Sequence, residues 1–133
     1  MAGRRSPPPM TGDVVPAASR ASEDQDVPKD VVLALGFDLF FKPRMMEAAK
    51  AAGVELRFAG DATGAERIVA DASTPGVIDQ LEAIRKTRPD VPILACYPHV
   101  DERLAARVKA IGTGVTRGAF NANVGPALAG EWP

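Results

Sequence analysis

Apolar residues gather in short runs from residue 31 onward, and helical periodicities fill the spaces between the runs. Val31 to Leu35 is continuous and apolar, of a length suited to a buried strand. Phe41, Met45, Ala48, Ala49 and Ala52 then fall on one face of a helix, and Gly53 is placed to end it. Val54 to Phe58 predicts a second strand, Ile68 to Ala70 a short third, and Val91 to Tyr97 a fourth in which Pro92 is tolerable only near the start. Val77, Leu81 and Ile84 mark a helix stopped by Pro89. Leu104, Val108 and Ile111 mark another, which Asp101 caps and Gly112 closes. A brief strand around Val115 and a last turn or two through Val124 and Leu128 complete five βα units. Strands alternating with helices predict a parallel sheet covered by helices.

One unit is short. Only nine residues separate Phe58 from Ile68, Gly60 and Gly64 among them, whereas a parallel crossover usually takes about a dozen or more with its helix. The second helix is therefore expected to be shortened or missing. Its loss should uncover whichever of Val54, Leu56, Phe58 and Ile68 point to that face, and a second copy or a partner's helix is the expected cover.

Residues 1–29 break the pattern: they hold Pro7, Pro8, Pro9, Pro16 and Pro28, many Ser and Ala, and no aromatic residue. Such a segment buries too little apolar area to offset its ordering entropy, so 1–29 is expected to be a disordered tail and 30–130 the folded domain. The 133 residues suit one domain. A hydrophobic fraction of 46%, a charged fraction of 25% and a formal net charge of −1 place the chain with soluble globular proteins and give no basic stripe for a nucleic-acid backbone. Cys96 and His99 are the sole cysteine and histidine, too few for a disulfide or a Cys/His zinc site. No apolar run approaches the roughly 20 residues of a membrane span. The expectation is a cytoplasmic protein that binds neither membrane nor nucleic acid.

Candidate chemistry gathers in the strand-to-helix loops, where an open parallel sheet places its ligands. That edge receives Asp38, Asp71, the stretch Tyr97-Pro98-His99, and Arg117. The segment Ile68-Val69-Ala70-Asp71-Ala72-Ser73-Thr74-Pro75-Gly76 resembles the receiver domain of response regulators, in which an apolar strand ends in a phosphoacceptor aspartate and a proline commonly follows four residues later. The resemblance covers residues 31 to 129. It implies a flavodoxin-like (CheY-like) doubly wound α/β fold with five parallel strands in the order 2-1-3-4-5, and it makes Asp71 the candidate phosphoacceptor, with Asp38, Tyr97, His99 and Arg117 around it.

The same resemblance exposes what is altered. A carboxylate attacking a phosphoryl group needs a magnesium ion and a cation to offset the charge on the phosphoryl oxygens, and receivers supply an acidic pair after the first strand for the metal. Here that place reads Gly36-Phe37, with Asp38 one position later. The hydroxyl expected after the fourth strand is absent from Ala95-Cys96-Tyr97-Pro98-His99, and Arg117 is the only stand-in for the lysine after the fifth. Asp38 and Asp71 are thus at most weak magnesium ligands, and no other cofactor is expected.

Each residue also has a quieter reading. Asp38 serves as a helix cap, Asp71 accepts loop amides, Cys96 is inert core, His99 faces solvent, and Arg117 pairs with Asp71 to hold the loops. The expected function is a non-enzymatic signalling module that binds a protein partner, either a kinase or a downstream signalling protein, or a second copy, independently of phosphorylation. The alternatives are a conventional response regulator phosphorylated on Asp71 and a flavodoxin-like binder of a small ligand.

Overall fold

The computed structural model describes residues 30–132, so the expectation for residues 1–29 lies outside the described part. The chain runs β1 (Val31–Leu35), α1 (Lys42–Ala52), β2 (Glu55–Arg57), β3 (Arg67–Asp71), α2 (Val77–Thr87), β4 (Ile93–Tyr97), α3 (Glu102–Ile111), β5 (Thr113–Thr116), α4 (Arg117–Ala122) and α5 (Val124–Ala129). The strands form one parallel sheet in the order β2-β1-β3-β4-β5. This is the doubly wound, flavodoxin-like order expected from the sequence. Among the described residues no helix is long and apolar enough to cross a membrane.

Alternation along the strands sorts their side chains into two cores. Leu33, Leu35, Ile68, Ala70, Ile93, Ala95 and Tyr97 face α2 and α3, where Val77, Ile78, Leu81 and Val108 meet them. Val32, Ala34, Val69, Leu94 and Cys96 face α1, α4 and α5, where they meet Met45, Ala49, Phe120 and Leu128. A sheet covered on both faces explains why β1 and β4 read as unbroken apolar runs rather than alternating ones.

Capping sets the helix ends. The Asp101 carboxylate accepts the Leu104 amide at 3.0 Å and starts α3, and Thr116 Oγ1 accepts the Ala119 amide at 3.2 Å and starts α4. Gly53 ends α1 as expected. Gly112 ends α3 for a different reason from the one expected, because its backbone is extended. It passes so close to β4 that a Cβ would lie 2.6 Å from the Ile93 carbonyl oxygen. The requirement is close approach, not a left-handed turn.

The chain contains no helix between β2 and β3. The consequence expected from the sequence, an uncovered apolar strip, is overturned. Val54, Leu56 and Phe58 pack half-buried on the α1 side, and Ile68 is fully buried. The β2 residues of opposite parity are Glu55 and Arg57, a polar pair where a helix-covered strand would carry apolar side chains. The loop 58–66 does the covering instead by folding Ala62 and Ala65 into the core beneath it. Arginines hold its carbonyls in place. Arg57 Nη2 donates to the Asp61 and Thr63 oxygens at 3.2 and 3.0 Å, and Arg88 Nη1 donates to those of Ala62 and Ala65 at 2.6 Å each. Side-chain hydrogen bonds from two cations replace the internal ladder that a helix would have supplied.

Candidate functional site

Parallel register brings the ends of β1, β3 and β4 to one edge of the sheet. Leu35 pairs with Ala70, and Asp71 pairs with Cys96. Gly36, at φ +84°, turns the chain out of β1. A Cβ there would lie 2.7 Å from the Asp71 carbonyl oxygen and 2.9 Å from a Val77 methyl, so only glycine fits. Thr74 Oγ1 donates to the Gly36 carbonyl at 2.6 Å, which ties the loop after β3 to the loop after β1.

Between these loops lies a pocket of about 250 Å³, lined by Asp38, Asp71, Arg117, Cys96, Phe37 and Asn121 among others. It brings together three of the residues singled out in the sequence: Asp38, Asp71 and Arg117. Tyr97 and His99 do not line it. Tyr97 is buried in the core on the α2 and α3 side, with its ring against Gly114. His99 is exposed in the loop before α3.

Asp71 is engaged by its own neighbours. Its Oδ1 accepts the Ser73 amide at 3.0 Å and the Ser73 hydroxyl at 2.6 Å. The Arg117 guanidinium lies 3.2 Å from Oδ2 and 3.4 Å from Oδ1, and it also donates to Ser73 Oγ. The result is a closed cluster of carboxylate, hydroxyl and guanidinium joining the β3 loop to the start of α4. Ser73 was not singled out in the sequence, although an aspartate followed two residues later by serine is a pattern in which the side chain can bond the local backbone. Asn121 gave no signal; it reaches the pocket from α4, where Arg44 Nη2 donates to its carbonyl at 2.5 Å.

Asp38 sits in the turn before α1 and uses Oδ1 to accept the Phe41 amide at 2.8 Å. The preceding residue, Phe37, stands where the resemblance places an acid. Its ring packs 5.3 Å from Phe120 and 5.8 Å from Phe41, an aromatic cluster rather than a metal ligand. Among the described residues no group of three or more His, Cys, Asp or Glu side chains converges as a metal site. Cys96, next to Asp71 in register, is 1% exposed. Burial and, secondarily, the negative charge of Asp71 push its thiol up to about 12, so it stays protonated and unreactive at neutral pH.

No protein-family model matches the chain, and no curated protein matches it in sequence. Solved structures do match its fold. A response regulator receiver domain protein of Clostridium thermocellum superposes with a TM-score of 0.62 at 14% identity, over 77% of this chain and 93% of that one. The signal receiver domain of an HD domain-containing protein from Pseudomonas fluorescens superposes with a TM-score of 0.61 at 16% identity, over 78% and 96%. A chemotaxis response regulator of Vibrio cholerae gives 0.55 at 18% identity, over 68% and 88%. The chain has the receiver fold. At the edge of this fold Asp71 accepts hydrogen bonds on Oδ1 and faces the Arg117 guanidinium with Oδ2.

Proposed function

We propose that this chain is a receiver-fold interaction module that recognises a protein partner without phosphoryl transfer to Asp71, and that it is not an enzyme. The observation that carries this reading is the closed Arg117–Asp71–Ser73 cluster. An acceptor carboxylate needs a free oxygen facing the incoming phosphorus and a metal ion beside it. Here Oδ1 accepts donors from Ser73 and Arg117, and Oδ2 faces the guanidinium. Hydrogen bonds to charged groups are each worth about 1.5 to 3 kcal/mol, so opening the cluster for chemistry carries a substantial cost.

The donor set does not fit a magnesium ion. Such an ion is gripped by one or two carboxylates aimed at it, whereas Asp38 caps a turn, Phe37 is aromatic, and a guanidinium already stands beside Asp71. The cluster instead holds the β3 loop against the start of α4 in a single arrangement, which suits a surface recognised in one state.

Intact-mass measurement after incubation with a small acyl phosphate and magnesium tests this reading. The wild type is expected to gain no stable phosphoryl mass, and magnesium is expected to leave its thermal midpoint unchanged. A magnesium-dependent mass increase that disappears in Asp71→Asn would overturn the reading in favour of a working phosphoacceptor.

A further inference from the structure

The loop between β2 and β3 has a stiff centre set between two pivots. Asp61 Oδ1 accepts the Thr63 amide at 3.0 Å and closes residues 61–63 into a tight turn. Gly60 and Gly64 bracket that turn at φ +102° and +78°. Nothing lies within 4 Å of the place a Cβ would take on either one, so the space beside both pivots is open. Glycine crosses between backbone regions that other residues leave only at a cost, which suits it to a hinge. Beyond the second pivot the chain is fixed, because the Glu66 amide donates to the Val31 carbonyl at 2.7 Å.

The turn adds little to the core it covers. Of residues 60–64 only Ala62 is buried there, and withdrawing it uncovers a single methyl group. Most of its restraint comes from other elements. Arg88 Nη1 spans the carbonyls of Ala62, in the turn, and Ala65, beyond the second pivot. Arg57 Nη2 holds the Asp61 and Thr63 carbonyls, and the Ala65 amide donates to the Ala62 carbonyl at 3.1 Å. Closure also leaves one donor unmet. Arg57 Nε is buried with no hydrogen-bond partner among the described residues, and a buried unpaired donor carries a cost that contact with water removes. The closed arrangement is thus favoured by a few latching bonds and one methyl group, and opposed by Arg57 Nε.

This turn is also one wall of a groove of about 650 Å³, whose other wall is formed by Gln80, Ala83, Ile84 and Thr87 of α2. We infer that residues 60–64 are a hinged strap, latched by Arg88, that swings open while the rest of the domain stays folded and so gates the groove beside α2. Opening extends the groove toward the core position that Ala62 fills when the strap is closed. The inference concerns a different part of the molecule from Asp71 and stands whether or not that residue accepts phosphate.

Thiol labelling of the full chain with a soluble aromatic disulfide, followed by intact mass, provides the test. Cys96 is free and 1% exposed, so its labelling reports opening of the domain as a whole. Ala62→Cys places a second thiol beneath the strap. That thiol is expected to react at least about a hundredfold faster than Cys96 in the same molecule. Adding Arg88→Ala, which removes the latch, should raise its rate by about tenfold or more. Phe120→Leu loosens the opposite core; it should speed the labelling of Cys96 and leave the strap thiol within about twofold. A strap thiol that reacts in step with Cys96, ignores Arg88→Ala or follows Phe120→Leu overturns the inference. If circular dichroism shows that Ala62→Cys does not fold, hydrogen exchange of the unaltered Ala62 chain decides. The Ala65 amide should then exchange at least about a hundredfold faster than that of Ala70 and be unmoved by Phe120→Leu, and a shared rate or a shared response overturns the strap.

Discussion

Cys96 shows how one side chain can report on the packing around it. Its thiol, ordinarily near 9.0, is pushed up to about 12 because the charged form would be buried beside Asp71. Between those two values the unfolded chain releases a proton that the folded chain keeps, so the contribution to stability is complete below pH 9.0 and is lost as pH rises toward 12. The loss is at most about 1.4 kcal/mol per pH unit. Urea midpoints measured across this alkaline range are expected to fall more steeply for the wild type than for Cys96→Ala; parallel curves would show that the thiol is not held as described. Asp71, Arg117 and Cys96 were legible in the sequence because position relative to a strand end announces them. Ser73 and Asn121 were not, since hydroxyls and amides at loop and helix positions are common, and only the fold shows which of them reach the pocket or its carboxylate. Tyr97 illustrates the opposite error of inference: it follows Cys96 in the chain and was grouped with the rim, but alternation along β4 sends its ring to the other core.

At the scale of the element, the instructive part is the loop that replaces a helix. Counting nine residues between Phe58 and Ile68 was enough to foresee that the helix is shortened or missing. It was not enough to foresee the cover. The parity of β2 decides which face its apolar residues take, and two arginines far apart in sequence supply the donors that tie down the loop. Arg88→Ala removes a cation that serves two backbone carbonyls at once, and it is expected to lower stability by about 1.5 to 3 kcal/mol. Hydrogen exchange offers the sharper check. Amides in loop 58–66 should exchange faster in this variant while those of α3 remain unchanged, and a uniform response across the molecule would contradict the anchoring role.

Across the whole molecule, the helix-covered parallel sheet was legible because apolar runs and helical periods alternate so regularly, whereas its strand order followed from the resemblance to receivers. The strip at β2 is the exception to that regularity. It is three residues long, pairs only with β1, and ends in a loop whose carbonyls wait for a side chain from the far end of α2. Isolated short strands are marginal on their own, and Arg88 reaches its place only once α2 has formed, since its own amide closes the last turn on Ile84 at 2.8 Å. A temporal order follows. In pulse-labelled refolding, amides of the β1, β3 and β4 centre are expected to gain protection before Leu56 and Arg57, and earlier protection at β2 would refute this order. The edge without its helix is then the last part of the molecule to close and, under mild denaturant, the first to open.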